Sequence, residues 1–597
     1  MKYPNLSKSK VVSFDIETYD PELKEKGPGV YRRDGNILGV AISNGDFSEY
    51  YDLGHKKLSP EIKAKNHNYV KDILATDIPK LGTNILYDID WLENWSDMKI
   101  KGKLHDIQVA EPLLDENQGH YSLDFQMKKY LNKTKFPTRM VDFCEQRELK
   151  GDCRKHLYMM PVDMVREYAV SDVENPIEIF KLQWSQLKKE NLLPIYDMEM
   201  RLYPLLLQMR KVGVRIDKEK VYKGIDYLKK SIKKGEKDLY SKYRNFNYNS
   251  PKQLALIMDE KGIMYPLTEK NNPHLDKSVL ESMDNDLSKQ VLNLRGLTKT
   301  LSTFFINSFL GHSVSDRIHC SFHPLKTGEY GAISGRFSSA NPNLQQIPSK
   351  EEIFMALCRS VFIPEEDCWW GKLDWNQIEY RIICHYARGP KAQEVRDLYN
   401  QDPKTDYHQL IMDWTGLTRK DAKVMNFGMA YAMGAATLSK KFGWPFDQAL
   451  EYIERYNEEV PFVKATRNYV TKIARGRGYI KTILGRRARV TEVMRQTRKE
   501  YVMFNRLIQG SSADVLKKSM VAAYEAGVFK ILTPHLTVHD ELDVSVPKNK
   551  IGMEAFEELH HIMENCVKLK VPINVDAEIG ESWGELMNHD FKQGILM

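Results

Sequence analysis

In the segment VVSFDIETYD, residues 11–20, Asp15 and Glu17 stand two apart within strand-like alternation. That alternation sends Val12, Phe14 and Ile16 to one face and Ser13, Asp15 and Glu17 to the other. A half-buried strand with a polar outer face gives the same pattern, so the pair alone decides nothing. GTNILYDIDWL adds Asp88 behind an apolar trio, and REYAVSDVENPIEIF sets Tyr168 four residues before Asp172, one helical turn apart on one face. Four carboxylates and a phenol suit two divalent cations about 4 Å apart, with the tyrosine orienting a bound water for attack on a phosphodiester. That chemistry cleaves nucleic acid.

A second acidic set lies downstream. LTVHDELDVSVP, residues 536–547, places His539, Asp540 and Glu541 inside an otherwise apolar, strand-like stretch. Alternation would put Asp540 beside Val538 and Leu542, where a carboxylate must be paired, neutralised or bound to a cation unless a hairpin tip lifts it to the surface. An exposed turn with stray charges is the plain alternative. GKLDWNQIEYRIICHYA offers a partner in Asp374, followed by Glu379 and Arg381 ahead of a helical pattern. Two aspartates from distant strands can clamp metal ions for in-line phosphoryl transfer, one ion activating a 3′-hydroxyl and the other steadying a leaving pyrophosphate. Between them, RKDAKVMNFGMAYAMG spaces Arg419, Lys423, Phe427 and Tyr431 four apart along one drifting helical stripe. The cations can neutralise a triphosphate and the rings can meet a base. By itself such a stripe is usually an ordinary amphipathic face; its place between the two aspartates gives it meaning.

Several domains must hold these residues, because 597 residues exceed what one core organises and divide into roughly three to five units. Hydrophobic residues at 42% and charged residues at 28% are ordinary for a soluble protein, and no apolar run reaches the ~18 residues of a membrane span. A net charge of +7 allows a nucleic-acid partner without demanding one. The seven cysteines are scattered, without the paired spacing of a zinc site, and read as reduced thiols. The first strand begins at Val11, so neither a signal nor a transit peptide is expected. The lysine-rich stretch 229–244 reads as a solvated helix that could also meet phosphates.

In order, DxE at Asp15 and Glu17, NxxYD from Asn84 to Asp88 and YxxxD from Tyr168 to Asp172 resemble the three motifs of the DnaQ-like 3′ to 5′ exonucleases. The second half resembles a family A DNA polymerase. DWNQIEYR (374–381) stands where that family usually shows DYSQIELR, Arg419 to Tyr431 match R-x3-K-x3-F-x3-Y, and His539-Asp540-Glu541 match its third motif. SGRFSSANPNLQQIP (334–348) is similar to the family's TGRLSS-x2-PNLQNIP, and GESWGEL (580–586) to its C-terminal tail. NYNSPKQLALIM (247–258) and LRGLTKTLSTFF (294–305) resemble the thumb, and RIHCSF (317–322) the start of the palm.

The resemblance implies a mixed α/β, multidomain fold: an RNase H-like exonuclease domain over 1–190, then a right-hand polymerase. Its thumb would span 191–315, the first part of the palm 316–390, the fingers 391–495 and the second part of the palm 496–597. In the exonuclease, Asp15, Glu17 and Asp172 would hold one metal, Asp15 and Asp88 would reach the second, and Tyr168 would position the water. In the polymerase, Asp374 and Asp540 would hold two Mg²⁺ ions, with Mn²⁺ as a substitute, and Glu541 and His539 would lie beside the primer terminus. Gln377, Glu379, Arg419, Lys423, Phe427 and Tyr431 would bind the dNTP, Glu379 excluding ribonucleotides. Arg336, Asn505 and Gln509 would test the minor groove, whose acceptors look alike in every correct pair.

Primer-template DNA, dNTPs, a replicative helicase and a single-strand-binding protein are the implied partners of a monomeric, cytoplasmic replicase, in a bacterial host if the source is a phage. No membrane partner is expected, and no thioredoxin-type processivity factor, because 198–334 has the ordinary length. The chain opens directly on the exonuclease set, so the 5′ nuclease of bacterial DNA polymerase I is expected to be missing. Three residues depart from the pattern: Tyr501 stands where arginine is common, and Trp375 and Asn376 replace Tyr-Ser. Phe427 in place of tyrosine implies poor use of dideoxynucleotides. The rival readings are an exonuclease whose second half only binds DNA, against which intact Asp374, Asp540, Arg419 and Lys423 argue, and a structural DNA-binding or repair scaffold with both centres silent, which stoichiometric binding without turnover would reveal.

Overall fold

The computed structural model describes residues 2–55, 58–134, 138–328, 331–349, 352–416 and 418–591. The amino-terminal part is built on a five-stranded sheet. Its strands are β1 (Val12–Tyr19), β2 (Asn36–Ser43), β3 (Ser48–Asp52), β4 (Lys80–Gly82) and β5 (Leu104–Asp106), in the order β3-β2-β1-β4-β5. β1 runs antiparallel to β2 and parallel to β4, so it is central and covered on both faces. Val12, Phe14 and Ile16 are buried on one side, as alternation requires, but Ser13 and Glu17 are buried on the other. The polar face is no outer face: the helix Val162–Lys189 lies across β1, β2 and β3 and closes it.

A second five-stranded sheet, wholly antiparallel, forms the base of the carboxy-terminal part. Its order is Thr533–Val538, Glu541–Pro547, Cys368–Trp375, Val575–Ser582, Glu585–Asn588. Strands more than 150 residues apart in the chain therefore meet, with Asp374 opposite Glu541 on one side and Asp576 on the other. The long helices Val502–Ala526 and Lys550–Asn565 pack together, the second of them on this sheet, around Leu542, Val544, Phe556 and Leu559. A small sheet joins Val214–Ile216 to Arg317–Ile318 and Phe362–Ile363, stitching both ends of the intervening helical segment to the strand-rich region. In that segment Lys218–Lys242 is one helix, capped by Asp217, with Leu228 and Leu239 buried and Lys229, Lys230, Lys233 and Lys234 exposed, the solvated face that the lysine pattern predicts. Among the described residues no helix is long and apolar enough to cross a membrane.

Charged joints hold the amino-terminal sheet to the rest. Arg489 pairs with Glu116 at 2.9 Å and with Glu190 at 2.7 Å, and Arg506 donates to Asn117 at 2.9 Å. Deeper in, Lys517 donates to Glu199 at 2.7 and 2.9 Å with both side chains at 0% exposure, and Arg486 bridges Glu199 to Asp514. A buried ion pair adds little net stability when complete, yet removing one partner strands the other without water or counter-charge. Lys517→Met is therefore expected to lower stability by about 3–5 kcal/mol, read as a clear fall in thermal midpoint; a midpoint unchanged from wild type would show that Arg486 alone satisfies Glu199.

Candidate active sites

The first centre forms where β1 meets the helix that covers it. Asp15, Glu17 and Asp172 each present a carboxylate oxygen within 4.8 Å of the others, the first half-buried and the other two buried. Tyr168 sits one turn before Asp172 on the buried face of the helix Val162–Lys189. Burial and the nearby carboxylates of Asp172 and Glu17 hold its hydroxyl well above the ordinary phenol range, so it stays protonated and able to donate. Hard oxygen donors gathered this tightly fit a magnesium-class cation, which would relieve their mutual repulsion.

Asp88 stands beside this group and not in it. It occupies the first turn of the helix Ile85–Trp95, whose start is fixed by Asp106 accepting from the Asn84 and Ile85 amides at 3.0 Å each. Its own carboxylate accepts from the Ile16 amide at 3.0 Å. Burial, with Asp106 and Asp172 nearby, pushes Asp88 up to about 8. A cavity of about 780 Å³ opens onto Asp15, Glu17, Tyr168 and Asp172, and Asp88 is not among its lining residues. Its walls include Phe322 and His323 from the carboxy-terminal half, and also Arg154, which sequence reading passed over.

The second centre lies at the end of the second sheet. Strand Thr533–Val538 turns back at His539 and Asp540, with Val538 paired to Glu541, so the acids sit at a hairpin tip. His539 takes a left-handed conformation (φ 58°), which costs an L-residue roughly 1 kcal/mol and allows the tight reversal. The Asp540 carbonyl accepts from the Trp375 amide at 3.2 Å, which pins the tip to the strand carrying Asp374. The Asp540 carboxylate accepts from Ser512 at 3.1 Å and faces Arg336 at 3.4 Å. Glu541 is buried, with Lys372 at 3.6 Å and Arg359 at 3.8 Å.

Burial first, then Glu541, Asp540 and Asp576, push Asp374 up to about 8. An unfolded aspartate titrates near 3.8. Between those values the metal-free fold keeps a proton that the unfolded chain has lost, so stability falls as the pH rises through that window; Asp88 acts in the same sense. The thermal midpoint in EDTA is expected to drop between about pH 7 and 8, above the range where His105, His323, His385 and His535, held down to about 4 by burial, add the opposite slope, with Mg²⁺ restoring most at the upper end, where it displaces fewest protons. A midpoint in EDTA that rises over this range would contradict the assignment.

The expected nucleotide and duplex contacts divide into two groups. Glu379 accepts from Arg336 at 2.6 Å and from Tyr431 at 2.5 Å, Gln509 approaches Tyr431 at 3.5 Å, and Asn505 lines the same small cavity as Glu379 and Tyr431. Arg419 instead pairs with Asp406, whose other oxygen accepts from Gln377 at 2.8 Å, while Lys423 is exposed on the same helix Arg419–Ala430. The side chain of Phe427 lies outside the described residues. The departures have local reasons: Trp375 is buried with its indole donating to the Met563 carbonyl at 3.1 Å, and Asn376 donates to Asp576 at 2.9 Å. Tyr501 is exposed one turn before Asn505, at the start of the helix Val502–Ala526. Asp576 is a further acid that strand alternation in 573–579 could have revealed.

Comparison with known proteins matches residues 218–585 to the model of DNA polymerase family A and residues 4–188 to that of a 3′-5′ exonuclease. The DNA-directed DNA polymerase of Pseudomonas phage M6 is 31% identical over 98% of this chain and 96% of its own. DNA polymerase DpoZ of Acinetobacter phage SH-Ab 15497 is 28% identical over 96% and 97%. DNA polymerase I of Borreliella burgdorferi is 27% identical over 98% of this chain and 63% of its own. The solved POL domain of Pol1 from M. smegmatis, in complex with DNA primer-template and dNTP, superposes with a TM-score of 0.80 over 97% of this chain and 96% of its own; at 23% identity this shows a shared fold.

Proposed function

The chain belongs to DNA polymerase family A and carries a 3′-5′ exonuclease domain ahead of the polymerase, and from that premise we propose that it replicates a phage genome, extending a primer at Asp374 and Asp540 and excising errors at Asp15, Glu17 and Asp172. The observation that carries this reading is the pinning of Asp540 to the Asp374 strand, which joins two acids from distant chain segments. Two Mg²⁺ ions at each centre would supply the charge that activates the attacking oxygen and steadies the leaving one. The phage relatives, which this chain matches along nearly their whole length, support the replicative role.

In this reading the chain's own groups orient the reactants. Arg419 exchanges Asp406 for the triphosphate, and Lys423 adds a second cation. Gln377, Tyr431 and Phe427 surround the nascent pair. Arg336, Asn505, Gln509 and His539 face the duplex and the primer end, and Glu541 steadies the metal-binding tip. Primer-template DNA, dNTPs, a helicase and a single-strand-binding protein are the partners. The division into exonuclease 1–190, thumb 191–315, palm 316–390 and 496–597 and fingers 391–495 belongs to the same reading.

A labelled recessed primer on a longer template, with Mg²⁺, tests it: lengthening with four dNTPs and shortening without them is expected, and shortening under both conditions would favour a pure exonuclease. Glu379, held by Arg336 and Tyr431, blocks the sugar 2′-position in this reading. Glu379→Ala is expected to raise ribonucleotide use by about 10²-fold relative to dNTP in kcat/KM; an unchanged ratio would remove Glu379 from sugar selection.

A further inference from the structure

An incoming strand is a chain of phosphates, and the cavity wall formed by Asp15, Glu17 and Asp172 repels it. Opposite charge comes from the short 3₁₀ turn Cys153–Met159, which packs against β1 and brings Arg154 to the same cavity. Asp152 fixes that side chain. It caps the turn through the Arg154 amide at 3.0 Å and accepts twice from Nε, at 3.0 Å each. Nη2 also faces Asp152. Beyond Asp152, the guanidinium feels the Asp172 carboxylate and lies near the Tyr168 hydroxyl, two members of the centre itself. A planar fork held at one edge beside the reacting groups matches the oxygens of a phosphodiester.

We propose that Arg154 is a catalytic residue of the excision centre, holding a non-bridging oxygen of the 3′-terminal phosphodiester. In the step it serves, the water oxygen bonds to phosphorus and the bond to the penultimate 3′-oxygen breaks. That oxygen takes one of the water protons, the other passes to solvent, and a nucleoside 5′-monophosphate leaves. The guanidinium offsets the charge that gathers on the equatorial oxygens. The inference rests on the reading of Asp15, Glu17 and Asp172 as that centre.

Single-turnover excision of single-stranded DNA by Arg154→Ala in the full chain, with Mg²⁺, is expected to fall by about 10²-fold, with extension of a matched primer unchanged. Arg154→Lys keeps the ion pair with Asp152 and hence the turn, but not the fork, and should lose about tenfold; it carries the test if the alanine variant folds poorly. In EDTA, by fluorescence anisotropy, Arg154→Ala should bind an ordinary oligonucleotide about tenfold more weakly, yet lose nothing on one whose 3′-terminal linkage is a neutral methylphosphonate. Equal weakening on both oligonucleotides, or excision within twofold of wild type, would overturn the proposal. Asp15→Ala run in parallel separates the two levels: excision intact there faults the centre itself, whereas excision lost there and intact in Arg154→Ala faults only the arginine.

Discussion

Asp540→Ala is expected to abolish primer extension while excision from the same 3′ end continues. The carboxylate lies at a half-buried hairpin tip, reached by Ser512 and Arg336, and shares its field with Asp374. Removing it takes away one of the two acids that would hold the ions, a loss of at least about 10³-fold in turnover. The fold should survive. Arg336 keeps Glu379, the Trp375 amide still finds the carbonyl of residue 540, and the buried Ser512 loses a single acceptor beside the half-buried tip. The first centre uses none of these residues. A recessed primer incubated with and without dNTPs reads both activities in one lane set. Extension by the variant within tenfold of wild type would sink the assignment of the second centre.

The converse variant, Asp15→Ala, should stop shortening and leave extension intact. Asp15 is the half-buried member of the three-acid group and stands on the central strand β1, whose backbone pairing with β2 does not depend on its side chain. Its loss leaves Glu17 and Asp172 with a weaker hold on a cation, and excision should fall by about 10³-fold. A primer ending in a mismatch gives the sharper reading. The wild type should trim it before extending, and the variant should either stall or seal the error into product. Trimming at the wild-type rate would show that excision takes place elsewhere.

Both separations depend on the joints between the two halves. Glu116 and Glu190 meet Arg487, Arg489 and Arg506 across the boundary, and Phe322 and His323 close the far side of the excision cavity. The cavity is thus built by both halves, which explains why a variant must be chosen inside one centre, away from the shared wall, to give a clean result.

Much of the candidate chemistry was written in local order. The alternation through Asp15 and Glu17, the one-turn spacing of Tyr168 and Asp172 and the stripe from Arg419 to Tyr431 all follow from the periods of strand and helix, which a chain declares within a few residues; the polar residues inside LTVHDELDVSVP break a strand pattern, and pairing across the hairpin decided that they form its tip. Those periods say which way a side chain points. They do not say what covers it. Packing alone placed the helix Val162–Lys189 over the acids of β1, left Asp88 outside their group, turned Arg336 onto Glu379 and Asp540, and gave Arg419 to Asp406. Packing also brought Asp576 opposite Asp374 and Arg154 to the edge of the excision cavity. The sequence by itself determined most of the groups that could act and, within a strand or helix, which of them share a face. Only the tertiary structure decided which faces meet, because that depends on contacts between segments tens to hundreds of residues apart, where burial and charge pairing, not local period, select the partner.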